Sequence, residues 1–263
     1  MRNKMLNALR KMIIVAQYTF KEVYRSKIMM NVVLLGLSMA VVSYGAAEFT
    51  YGVPGKVSLD FGLGVLTLSC VGIAIFMGST LISKEVESRT IYMALSRPIS
   101  RSSFLIGRAL GMIWFLLLNS ILLGGIVIAL FCYFGGEVES LIIWTILYIF
   151  IESVMTLLIV VNFSMVTNPV MSVVYTICIY ATGHALPKTL ELRLVETNPV
   201  LENFISLYGT IFPNFHKLNI RSFVLYEQFL PSQYLVQSFL YGLCYSLFLL
   251  VISVFLFKRR NLD

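Results

Sequence analysis

Leu141-Ile-Ile-Trp-Thr-Ile-Leu-Tyr-Ile-Phe-Ile-Glu152-Ser-Val-Met-Thr-Leu-Leu-Ile-Val-Val-Asn-Phe163 contains one ionisable carboxylate, Glu152, and no basic residue. A helix rises about 1.5 Å per residue, so a run of this length matches the ~30 Å hydrocarbon layer of a bilayer. It has no polar face that could look into water, so it is apolar nearly all round. Such a helix belongs inside a large core or across a membrane.

The rest of the chain decides for the membrane. Five more stretches have the same character: Ile28–Ala47, Gly62–Ile82, Leu110–Phe134, Pro169–Ala185 and Val236–Phe257. None contains Lys, Arg or Asp, and Gly, Ser, Thr and Cys recur in them, as close helix contact in lipid favours. Hydrophobic residues make up 58% of the 263, and charged ones only 13%, against about 25% in soluble domains. The mean hydropathy is +0.86. The expected fold is an all-α membrane protein: residues 1–27 as an interfacial helix, then a six-span domain over 28–263. Cys70, Cys132, Cys178 and Cys244 all sit in apolar stretches without CxxC spacing, which argues for packing rather than disulfides or zinc.

A net charge of +7 can signal nucleic acid, but in a membrane protein it first reports orientation. Six spans put both termini, the loop 83–108 and the turn 164–168 on one side. That side holds fifteen Lys and Arg residues, and the other side five. The excess makes the termini cytoplasmic. The expected location is a bacterial cytoplasmic (inner) membrane, with no nucleic-acid partner. Twenty-seven residues precede the first apolar run, more than the short basic start of a signal peptide, so this run is read as a retained span.

On a helical wheel of residues 1–27, Lys4, Arg10, Lys11, Lys21 and Arg25 share one third of the circle. Met5, Leu9, Met12, Ile13, Ala16, Phe20, Val23 and Tyr24 lie opposite. This pattern fits a helix lying along the cytoplasmic leaflet. A helix packed on protein would show the same wheel.

The loop after the second span reads Ser83-Lys-Glu-Val-Glu-Ser-Arg-Thr-Ile-Tyr-Met-Ala-Leu-Ser-Arg-Pro-Ile-Ser-Arg-Ser-Ser-Phe-Leu-Ile-Gly-Arg108. Its first part lacks helix breakers and extends the span out of the membrane. Pro98 stops that helix, and Ser100 can cap the next one. The product is a helix-turn-helix projecting into the cytoplasm, with Glu85, Glu87 and Arg89 first and Ile91, Tyr92 and Leu95 beyond.

The run Glu85-x-Glu87-x-x-Thr90, then Leu95-x-x-Pro98-Ile-x-Arg101, then Gly107-Arg108, resembles the signature of ABC-2 type transporter permeases. Arg108 stands where that family usually has Lys. Phe20-Lys-Glu-Val-Tyr-Arg-Ser-Lys27, Pro213-Asn-Phe-His-Lys-Leu-Asn219 and the Lys-Arg-Arg ending are similar to family segments as well. The resemblance implies a six-span half-transporter that pairs with a second copy or a related permease and docks on ABC ATPase subunits. The helix after span two would be the coupling helix, so Glu85, Glu87, Arg89, Thr90, Ile91, Tyr92, Leu95, Pro98 and Arg101 are the expected ATPase contacts. The chain has no GxxxxGK[ST] run, so ATP and Mg would bind the partner and this chain would carry no cofactor.

The outer loop 186–235 contains Pro187, Pro199, Pro213 and Pro231. Leu190, Leu192, Leu194 and Val195, then Leu201, Phe204, Ile205 and Leu207, suggest short amphipathic helices broken by proline. The resemblance implies helices dipping into the outer leaflet; a platform for a periplasmic partner fits the same pattern. A charge at the depth of Glu152 costs at least about 2.5 kcal/mol, so it must be neutralised, paired or wetted. Asn119 in span three lies at comparable depth and is the expected hydrogen-bond partner. His184 and His216 lack metal spacing and read as interfacial polar residues.

The expected function is an exporter permease. The alternative is a mechanical transmitter that uses the same ATPase cycle to reshape a periplasmic partner. An intramembrane enzyme is disfavoured: the spans hold no paired carboxylates, no HExxH and no nucleophile with a base beside it. No catalytic or metal residue is assigned.

Overall fold

The computed structural model of the chain describes residues 2–50, 52–87, 100–190, 199–226 and 229–259. Every regular element among them is helical. In chain order these are α1 (Arg2–Tyr24), α2 (Lys27–Glu48), α3 (Pro54–Glu87), α4 (Arg101–Tyr133), α5 (Ser140–Val166) and α6 (Pro169–Leu190). Then follow α7 (Pro199–Ile211), a 3-10 turn (Phe215–Leu218), α8 (Arg221–Leu225) and α9 (Ser232–Arg259). Six of them, α2 to α6 and α9, are long and apolar enough to cross a membrane. Each expected span falls inside one of these helices; only Phe134 lies outside, as the C-cap of α4.

The helix boundaries follow local chemistry. The Ser26 hydroxyl accepts from the Ile28 N–H at 3.2 Å and starts α2. Ser100 caps α4 as expected, its hydroxyl accepting from the Ser103 N–H at 3.2 Å. Pro169 opens α6, where its missing N–H is no loss. Gly135 follows α4 at φ 79°, a backbone conformation glycine adopts without strain.

The helix quoted first, α5, is the axis of the bundle. It packs against α3, α4, α6 and α9, and Tyr148, Met155, Leu157 and Val160 are sealed within it. Small residues let the neighbours close in. A Cβ on Gly78 of α3 would overlap Val160, and one on Gly242 of α9 would sit 2.5 Å from Ile151. Polar side chains tie α9 down: Tyr148 Oη donates to the Leu235 carbonyl at 2.6 Å, and Asn162 Nδ2 to that of Leu249 at 3.2 Å. By contrast α2 lies at the periphery, with Met30, Leu34, Leu37 and Val41 exposed.

The wheel of α1 gains a third sector. Ala16, Thr19 and Val23 are buried against α4. Gly107 and Gly111 make the contact possible: a Cβ on Gly111 would lie 2.5 Å from the Ala16 carbonyl oxygen, and one on Gly107 2.8 Å from that of Met12. Arg108 joins the two helices with an ion pair to Glu22 at 2.5 Å. The apolar arc is therefore split between protein and surroundings, with Leu9, Ile13 and Tyr24 remaining exposed.

Proline in the far connection acts differently from expectation at one place. Helix α6 runs through Pro187 to Leu190 instead of stopping near Ala185. Leu201, Phe204, Ile205 and Leu207 do lie on a short helix, α7. Leu192, Leu194 and Val195 lie outside the described residues.

Candidate functional site

The polar residues of the membrane-spanning region converge at the end of the bundle opposite the finish of α9. On α5, Glu152 is 2% exposed. Its Oε1 lies 2.8 Å from Nε2 of His184 on α6. The Tyr180 hydroxyl is the other neighbour of this carboxylate. Tyr180 is one turn before His184, and their rings meet edge to face at 4.7 Å. Phe215 stacks on the imidazole at 5.7 Å and also lies 5.2 Å from the Tyr180 ring, so the three rings form one cluster.

Phe215 reaches this position because α6 has a glycine facing it. A Cβ on Gly183 would stand 2.6 Å from the Pro213 carbonyl oxygen and 2.7 Å from Cδ2 of Phe215. The segment around the 3-10 turn is also held by α9. The Asn214 N–H donates to Tyr241 Oη at 2.8 Å, and the Lys217 ammonium sits 5.0 Å from the centre of the Tyr241 ring.

A second charged pair completes the region. Arg221, the first residue of α8, donates through Nε to Asp60 Oδ1 at 2.6 Å and through Nη2 to the Asp60 carbonyl at 2.7 Å. Gly64, one turn along α3, leaves room for the guanidinium, which a Cβ there would meet at 3.1 Å. Between α3, α5, α6 and the 3-10 segment lies a cavity of about 800 Å³. Glu152, Tyr180, His184, His216, Asn219 and Arg221 line it together with Thr67 and Thr145. Asn219, Ser222 and Tyr226 are exposed, so the cavity opens at that end.

This geometry corrects one expectation. Asn119 does not pair with Glu152: its Nδ2 donates to Sγ of Cys70 on α3 at 3.2 Å. Depth was a sound criterion, but Asn119 is on the side of α4 that faces α3, while Glu152 faces α6. His184 and His216, read as interfacial polar residues, line the same cavity, and His184 is drawn into the contact with Glu152. A sequence signal for the Glu152–His184 pair exists. Glu152 is 14 residues before the end of α5, and His184 is 15 residues after the start of α6. In an antiparallel hairpin that puts them at one height.

The expected coupling residues lie at the other end. Glu85 and Glu87 belong to the last turn of α3, and Arg101 is the exposed first residue of α4. Arg89, Thr90, Ile91, Tyr92, Leu95 and Pro98 lie outside the described residues.

Chemically, the cavity can share a proton between carboxylate and imidazole, and it can hold a cation. Among the described residues no three His, Cys, Asp or Glu side chains gather closely enough to hold a metal ion. The sequence matches no protein-family model and no curated protein.

Proposed function

We propose that this chain is the membrane subunit of an ABC-2 type transporter, most simply an exporter, working in a pair and driven by separate ATPase subunits that bind ATP and Mg. The carrying observation is the segment between α3 and α4. It holds the permease-like motif, and both flanking helices run past their apolar stretches towards it: α3 continues to Glu87 and α4 begins at Arg101. The nine residues of α4 before Leu110 add about 13 Å at 1.5 Å per residue. Such a projection is what a partner ATPase could grip.

The join between α1 and α4 supports the same reading. Movement of the loop would pull on α4 and, through Gly107, Gly111 and the Arg108–Glu22 pair, on α1 as one body. ATP binding would then favour one arrangement of the paired chains over another by differential binding to the two states. The lysine and arginine excess supports a cytoplasmic side for the loop and termini. The cavity at the opposite end favours handling of a ligand over a purely mechanical transmitter.

The test is affinity purification of the tagged full chain from its native membranes, with an ABC ATPase subunit expected to co-purify. Reversing both Glu85 and Glu87 to Lys puts like charge against the partner, which costs several kcal/mol at an interface. Leu95→Asp puts a carboxylate into the apolar contact. Both variants should lose the ATPase while membrane levels of this chain stay unchanged. Full complex formation and normal ATP-dependent activity in both would remove the coupling role of the loop and the proposal with it.

A further inference from the structure

We infer that the far-end cavity is a binding site for an organic ammonium, with the Glu152 carboxylate as its counter-ion and the hydroxyls of Thr145 and Thr67 as additional acceptors. The inference supplies a ligand class to the permease reading and rests on it only for what happens after binding.

Charge balance is the first argument. Arg221 is neutralised by Asp60, whose Oδ1 accepts from its Nε at 2.6 Å. Among the described residues that line the cavity, Glu152 is the one carboxylate. A carboxylate that is 2% exposed yet lines a cavity favours a cation there. A neutral apolar ligand would leave the remaining acceptor sites of the carboxylate unsatisfied.

Hydrogen-bond polarity is the second. Thr67 Oγ1 donates to the Leu63 carbonyl and Thr145 Oγ1 to that of Leu141, each at 2.8 Å. Each hydroxyl has one proton and has committed it to its own helix, so towards the cavity it can only accept. His184 meets Oε1 of Glu152 and the Tyr180 hydroxyl is the other neighbour, which leaves part of the carboxylate's roughly four acceptor sites open. These three groups ask for a ligand rich in N–H donors. A primary ammonium has three and no acceptor.

Shape is the third. Thr145 and Glu152 are seven residues apart on α5, about 10 Å along its axis. The acceptors thus form a track suited to an elongated amine. Tyr180 adds an aromatic face beside the carboxylate, and such faces attract cations. The volume of about 800 Å³ is within the usual range of small-molecule sites, roughly 300–1,000 Å³.

The experiment uses the purified full chain without any ATPase, in the uncharged sugar detergent dodecyl maltoside. Fluorescence titrations compare monodansylcadaverine, a primary amine, with dansylglycine, its anionic counterpart. The expected result is saturable binding of the amine and none of the acid. Glu152→Gln keeps a hydrogen-bonding group but removes the charge, and should weaken amine binding at least about tenfold, the scale of a charge-assisted bond. Ala181→Leu, at an exposed cavity-wall position, should abolish saturable binding by filling the space. Should Glu152→Gln fail to elute as a single species, Thr145→Val replaces it, with an expected loss of about threefold. Equal binding of dansylglycine, no saturable binding of the amine, or wild-type amine affinity in either the charge or the filling variant overturns the inference. Loss of ATPase co-purification leaves these titrations untouched, so the two readings fail separately.

Discussion

The two ends of this bundle handle charge in opposite ways. Where α1 meets α4, glycines bring the backbones into contact, and Glu22, 55% exposed, stands at the surface. At the far end the helices stand apart around a cavity, and the charged groups turn inward: Glu152 to His184, Arg221 to Asp60. Close packing excludes polar groups unless they stay at the rim. Open packing admits them only as matched pairs, because an unmatched charge in an apolar interior costs several kcal/mol. The near end is packed as one piece, and the far end keeps an open cavity.

The largest expected effect breaks or keeps the distinction between ends altogether. In a chain with its four cysteines replaced by alanine, single cysteines at Ser100 and at Ser222 should react with an impermeant thiol reagent from opposite faces of the membrane. Reaction of both from one face would dissolve the comparison.

Next comes the inward charge itself. Glu152→Lys places an ammonium beside His184 in a buried site and should cost about 3–5 kcal/mol, seen as loss of folded chain from the membrane. Glu152→Gln should fold, because an amide can still bond the imidazole. Normal assembly of Glu152→Lys would mean the residue faces water.

The near end should respond to volume instead. Gly111→Leu drives a side chain into Ala16 and Thr19 and should cost about 1–3 kcal/mol. Thermal unfolding in detergent reads the cost, and a disulfide engineered between α1 and α4 reads the displacement of α1. An unchanged melting temperature with α1 still seated would refute the tight junction.

The smallest effects concern the half-exposed pairs. Asp60 is 42% exposed and Arg221 35%, so Asp60→Asn should cost less than about 1 kcal/mol, and Glu22→Gln about the same. A clearly larger loss for Asp60→Asn would show that the Arg221 pair braces the cavity.

Much of the fold could be read without coordinates. All six spans are legible because burying about 20 apolar residues in lipid leaves helix as the one way to satisfy the backbone. The Ser100 cap and the extension of α4 below its apolar stretch follow from local chemistry alone. The split face of α1 was not legible, since a wheel shows apolarity but cannot tell lipid from a glycine groove on α4. The end of α6 at Leu190, beyond Pro187, was not legible either, since where a helix ends also depends on its tertiary packing.

Glu152 marks the boundary between the two kinds of knowledge. Its sequence alone established that it sits mid-span and needs a partner. Helix rise then narrowed the partners by height, and Asn119 and His184 both qualified: Asn119 is 14 residues before the end of α4, and Glu152 is 12 after the start of α5. Height along a helix is set by residue count. The direction in which a side chain points is set by how neighbouring helices rotate and pack, which depends on Gly78, Gly183 and Gly242 meeting residues far away in the chain. That rotation turned Asn119 to Cys70 and Glu152 to His184. The tertiary structure alone therefore decided which polar residues share a cavity.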